Sequence, residues 1–147
     1  EDEEHTIWAI TEKGVFRYNE KEDKFTLVRD KDNNPVIASS LCLWEDGVIF
    51  GGRGSLYKYN YEDHIINLFH TLKPNGKYHI SNLYQWDSRT LLATNRWAKA
   101  LFIDIATGNT RPVPFNSEQI ISLLIDKKGK TEEESIFSIR RPARYRH

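Results

Sequence analysis

Residues 48–60, VIFGGRGSLYKYN, set three glycines around Arg53, which is the composition of a phosphate-binding loop. Such a loop needs a strand, glycines at fixed spacing and then a helix whose N-terminus meets the phosphate. Beyond Gly54 come Leu56, Tyr57, Lys58 and Tyr59, apolar and polar in alternation, which is the period of a strand. No Gly-Lys-Ser/Thr is present either, so the stretch predicts a hairpin with glycines at its tip. A second chemistry is suggested by Asp46, Asp87 and Asp126, since glycoside cleavage uses two carboxylates. These aspartates recur at one place, each after an apolar run, and that predicts turn residues accepting backbone hydrogen bonds. Ser55 enters a predicted strand and lacks the Gly-x-Ser-x-Gly elbow of a hydrolase nucleophile. The histidines are His5, His64, His70, His79 and His147. His64 and His70 fall at the two ends of one predicted strand, about 20 Å apart at a rise of about 3.3 Å per residue. No Cys/His spacing suits a metal. The expectation is a chain that is not an enzyme and has no catalytic residues, no metal and no cofactor.

The elements that carry these residues repeat. Ile7-Trp8-Ala9-Ile10-Thr11 followed by Val15-Phe16-Arg17-Tyr18-Asn19 matches Val48 to Gly52 followed by Leu56 to Asn60, with Tyr18 and Tyr59 41 residues apart. Leu91 to Thr94 followed by Ala100 to Asp104 is a third copy, and Ile136 to Ile139 begins a fourth. A period of about 40 to 50 residues in strand-like segments is the mark of β-propeller blades of four antiparallel strands. In the second unit the strands are expected at 37–44, 48–52, 55–60 and 65–69, with the hairpin turn Glu45-Asp46-Gly47. In the third they are expected at 79–86, 90–94, 99–104 and 110–113. The fold class is therefore all-β: a partial β-propeller of about three blade-equivalents. Residues 5–30 supply the last three strands of a blade, 37–70 and 78–114 are full blades, 119–139 start a further blade, and 140–147 form a basic tail. Three blades are too few to close a ring. The open ends call for the remaining blades of a longer chain or for a second copy in a homodimer.

Bulk composition agrees with one soluble domain: 147 residues, 39% hydrophobic and 29% charged. Lys plus Arg number 21 and so do Asp plus Glu, so no basic excess points to nucleic acid or an anionic membrane surface. No run of about 18 apolar residues is present to span a bilayer. Cys42 sits in an apolar run and is expected as a buried thiol. The chain has no methionine and no basic-then-apolar leader, which predicts a piece of something longer. Its acidic start, Glu1 to Glu4, and arginine-rich end, Arg140, Arg141, Arg144 and Arg146, are expected as solvated tails.

The words IWAITEKGVFRYNEKEDKF, VIFGGRGSLYKYN and LLATNRWAKALFIDIATGN resemble the two-component regulator propeller repeat. That repeat runs from an aspartate turn through an apolar strand ending in Gly-Thr to a glycine turn and Leu-x-Arg-Tyr-Asp. The likeness covers about residues 5 to 139. Here Ile-Thr or Gly-Gly stands for Gly-Thr, and Asn comes after Tyr18 and Tyr59 in place of Asp. The resemblance implies a periplasmic location, in the sensor part of a hybrid histidine kinase of the kind found in gut bacteria, and an oligosaccharide ligand.

One stretch breaks the repeat. Asn95-Arg96-Trp97-Ala98 lengthens the loop between the second and third strands of the third unit. In a propeller these loops share a face with the connections between blades, around the central mouth. Arg53 lies in the matching loop of the second unit, and Tyr78 and His79 lie where a connection enters the third. An exposed aromatic among polar donors suits a sugar, the ring stacking on C–H faces while Arg53, Asn95, Arg96 and Lys99 read hydroxyls. The alternative is that Trp97 folds back to plug its own loop.

Overall fold

A computed structural model describes residues 1–74 and 76–114. Asp126, Ile136 to Ile139 and the segments 119–139 and 140–147 lie outside the described residues. Among the described residues the protein is all-β, with eleven strands in three antiparallel sheets and no helix. The first sheet contains β1 (Trp8–Thr11), β2 (Gly14–Asn19) and β3 (Lys24–Leu27). The second contains β4 (Ser40–Trp44), β5 (Gly47–Gly51), β6 (Ser55–Asn60) and β7 (Ile66–Thr71). The third contains β8 (Asn82–Gln85), β9 (Thr90–Thr94), β10 (Leu101–Asp104) and β11 (Thr110–Pro112). In every sheet the strands lie in sequence order, each hydrogen-bonded to the next.

The second sheet is packed between the other two, and its period-2 side chains show how. Leu41, Val48, Phe50, Tyr57 and Tyr59 face the first sheet and meet Trp8, Ile10 and Val15. Cys42, Trp44, Ile49 and Leu56 face the third and meet Leu83, Leu91, Ala93 and Ile103. A strand buried on both sides needs apolar residues without alternation, and β5 is buried along its whole length for that reason. Trp8 stands edge-on to Phe50 and Tyr59, with ring centroids 5.2 and 5.0 Å away. The outward side of the first sheet is different: Ile7 and Phe25 are 44% and 46% exposed, and β1 has no strand on its second edge among the described residues.

The predicted strands of the second and third units are all present, most trimmed or shifted by one to three residues at their ends. The reason is visible at 36–39, where the chain leaves the ladder to join two sheets. The carbonyl of Val36 accepts from the N–H of Val15, and the N–H of Ser39 donates to Gly51. A device then repeats at the end of each outer strand. Val28, Leu72 and Val113, each directly after its strand, donate their N–H groups to the carbonyls of Val15, Gly54 and Ala100.

The acidic start is not a solvated tail. Asp2 is buried, and its carboxylate accepts from the N–H groups of Glu4 and Thr6 and from Nε1 of Trp8, at 2.8 to 2.9 Å. The Glu3 N–H donates to the Tyr61 hydroxyl. Sequence reasoning counted charges here and missed that one of them satisfies three donors.

Two substitutions separate the sandwiched strand from the outer edge. Phe50→Ala is expected to cost about 3–5 kcal/mol, and Leu68→Ser, at a side chain 54% exposed, less than about 0.5 kcal/mol. Urea unfolding of both variants measures the difference.

Candidate functional site

The glycines of the 51–54 loop serve backbone contact. Gly54 has φ +72°, and a Cβ there would fall 1.6 Å from the Gly76 carbonyl oxygen. Its N–H donates to the Tyr78 carbonyl at 2.7 Å, while the Ile80 N–H donates to the Gly52 carbonyl at 3.1 Å. Arg53 and His79 pair as an isolated antiparallel bridge between these bonds. The loop is thus a hairpin tip against which the 72–80 connection is laid, with the Gly54 N–H spent on that connection and the Gly52 N–H on the Ser55 carbonyl at 3.0 Å.

The loop of the third unit is the longest of its kind: six residues separate β9 from β10, against two between β1 and β2 and three between β5 and β6. Asn95 organises it. Asn95 is buried; its Nδ2 donates to the His79 carbonyl and its Oδ1 accepts from the Trp97 N–H. That Asx turn fixes the backbone before Trp97 and leaves the indole 75% exposed, with the Arg96 guanidinium 5.5 Å from the ring centroid. Trp97 does not plug its loop.

Of the seven residues predicted from sequence, four present side chains to solvent: Arg53, Arg96, Trp97 and Lys99. None of the three cations among them has an ion-pair partner among the described residues. The other three form the support. Tyr78 is buried, and its hydroxyl donates to the Lys99 carbonyl at 2.9 Å and sits 3.4 Å from that of Ala93. His79 links the Arg53 loop, through the bridge, to the Trp97 loop, through its carbonyl. Sequence reasoning missed two residues, Ser40 and Thr94, whose side-chain oxygens share the unsatisfied state of the predicted His79. Ser40 Oγ, His79 Nδ1 and Thr94 Oγ1 are buried at the junction of the second and third sheets with no hydrogen-bond partner among the described residues. Buried polar groups are ordinarily satisfied, so three at one junction mark it as distinct. Their only sequence signal is position, Ser40 opening β4 and Thr94 closing β9.

The other chemistries considered from sequence disperse. Asp87 accepts the Arg89 N–H in its turn, as expected, whereas Asp46 pairs with Lys58 at 3.0 Å. His64 faces Glu4 at 3.5 Å, and Nε2 of His70 donates to the Ile105 carbonyl. Trp44 joins the second and third sheets, Trp86 packs on Phe102, and Cys42 is a buried thiol.

No protein-family model matches the chain, and no curated protein matches it. Solved structures do. Two crystal structures of the extracellular domain of BT4673 from B. thetaiotaomicron, described once as a hybrid two component system and once as a one component system, share its fold. The first is 16% identical over 77% of this chain with a TM-score of 0.56, the second 18% identical over 84% with a TM-score of 0.61. This chain spans only 15% and 17% of their lengths.

Burial of Tyr78 pushes its phenol far above the ordinary 10.0. The folded chain then keeps a proton that the unfolded chain releases, so stability is lost as pH rises past about 10, by up to about 1.4 kcal/mol per pH unit from this residue. Tyr78→Phe removes that contribution and costs about 1 kcal/mol at neutral pH through the lost hydrogen bond. Urea midpoints of both chains at about pH 8 and about pH 11 give the two slopes. Tyr59 and Tyr61, raised in the same sense, remain in both.

Proposed function

We propose that this chain is a recognition segment of an extracytoplasmic sensor, part of a β-propeller in a bacterial two-component receptor, with no catalytic role of its own. The observation that carries the reading is Trp97: a large aromatic 75% exposed on a loop made rigid by Asn95. An exposed ring held in place this way loses little entropy on stacking against a ligand. Arg96 stands beside the ring, Lys99 lies in the same loop and Arg53 in the adjoining one, and none of the three is ion-paired among the described residues. The ligand class these groups fit is an oligosaccharide, whose C–H faces stack on indole and whose hydroxyls accept from guanidinium and ammonium groups. Tyr78, His79 and Asn95 act as supports in this reading. Support for the sensor role comes from the BT4673 extracellular domains, and support for the propeller from the 41-residue repeat of consecutively ordered antiparallel sheets. A ligand at this face changes signalling to the extent that it binds two arrangements of the receptor with different affinity.

One observation favours an assembly role beside it. The outward side of the first sheet, with Ile7 and Phe25 exposed and β1 unpaired at one edge among the described residues, is a surface suited to a further blade or a second copy. Light scattering of the 147-residue chain is expected to give a dimer if copies complete each other. A monodisperse 17.2 kDa species instead assigns that surface to further blades of a longer chain.

Among the described residues Trp97 is the most exposed large hydrophobic side chain, and Trp44 and Trp86 are buried. Its fluorescence is therefore expected to respond to a panel of neutral oligosaccharides. Trp97→Ala is expected to abolish the response while shifting the unfolding midpoint by less than about 0.5 kcal/mol. A panel without any response sinks the sugar reading.

A further inference from the structure

At the opposite end of the strands from Arg53 and Trp97, a cleft of about 590 Å³ opens between the first and second sheets. Its walls come from the docked N-terminal segment, the end of β2 with its adjoining turn, and Tyr59 and His64 of the second sheet. We propose that this cleft binds a carboxylate carried on a hydroxyl-rich solute, a uronic-acid sugar being the simplest.

The cation that carries the proposal is Arg17. Its guanidinium lies 5.8 Å from the centroid of Trp8 and 5.9 Å from that of Tyr59, so two rings flank it while the side chain stays exposed. Among the described residues it makes neither an ion pair nor a hydrogen bond, and its fork of five donors is left over at the cleft wall. A guanidinium flanked by aromatic rings with its donors unused is prepared for a planar, bidentate oxyanion. Lys21, in the turn after β2, is a second cation of the lining without an ion-pair partner among the described residues.

The acids of the lining select among oxyanions. Glu4 is engaged from both sides, its Oε1 3.4 Å from the Tyr59 hydroxyl and its Oε2 3.5 Å from His64 Nε2. Glu20 stands on the rim. Arg17 and Lys21 offset Glu4 and Glu20, so the lining is formally neutral before a ligand enters. The two carboxylates then oppose a phosphate dianion about twice as strongly as a single carboxylate placed on the Arg17 fork. They also accept hydrogen bonds from hydroxyls, which a sugar supplies in number, and the Thr6 hydroxyl is a further group of the lining able to do so. The volume lies within the range of about 300–1,000 Å³ usual for small-molecule sites. The inference is independent of the sensor reading, which rests on the other end of the strands.

The test is calorimetric titration of the full 147-residue chain with digalacturonate, a neutral galactose disaccharide and inorganic phosphate. Digalacturonate is expected to bind at least about tenfold more tightly than either, the advantage of a charge-assisted pair. Arg17→Gln is expected to weaken it about tenfold or more. Arg17→Lys, which keeps the charge and loses the fork, is expected to fall between. Lys21→Gln, on an exposed turn where folding is not at stake, is expected to weaken binding severalfold and to reduce its dependence on salt. Equal binding of the neutral sugar, tighter binding of phosphate, no binding of digalacturonate, or indifference to both Arg17→Gln and Lys21→Gln overturns the proposal. So does loss of uronate binding in Trp97→Ala with Arg17→Gln unaffected.

Discussion

The constraint on which the rest depends is that β5 must be apolar on both faces. Val48, Ile49 and Phe50 are each fully buried, the outer two against the first sheet and the middle one against the third. A strand so placed cannot alternate, and it fixes the register of its neighbours, because a slip of one residue would exchange its two faces. From that register come the pairing of Gly51 with Leu56 and the tight tip between them. The tip in turn is where the 72–80 connection is held, and that connection carries His79 to the Trp97 loop. The exposed indole is thus the last member of a chain of contacts that begins with packing in the middle of the molecule.

Much of the fold was legible because its signals are local. The alternation of Leu56 to Asn60 and the Glu45-Asp46-Gly47 turn mark a hairpin without reference to anything distant. The loop that carries Trp97 was legible for a different reason, since its residues are in excess of the repeat. Whether the indole lies open or folds back was not legible, because the Asn95 bonds that decide it include a tertiary one to the His79 carbonyl. Tyr78 shows the limit. Its neighbours in sequence, Lys77 and His79, are polar, and only the approach of the Ala93 and Lys99 carbonyls makes it an interior residue. Asp2 was misread by the same logic, since its three donors come from a local turn and from an indole six residues on. Arg17 drew no functional reading from the sequence. The two rings that flank it belong to different sheets, and no period of one segment reports a contact of that kind.

The two ends of the strands use aromatic and cationic groups in opposite ways. At one, Arg96 stands beside an indole that remains open to solvent, and the ring is the surface offered. At the other, Trp8 and Tyr59 flank Arg17, and the charge is the surface offered. The two ends therefore differ in whether the ring stands open to solvent, as at Trp97, or is packed into the fold, as at Tyr59.

Val28, Leu72 and Val113 close their units with a backbone N–H and a backbone carbonyl. A closure written in main-chain atoms places almost no demand on which side chains surround it. Lineages can then respell nearly every position while the spacing of the units is inherited unchanged. The fold that this chain shares at 16% and 18% identity, while matching no family model, fits a closure that asks so little of its side chains.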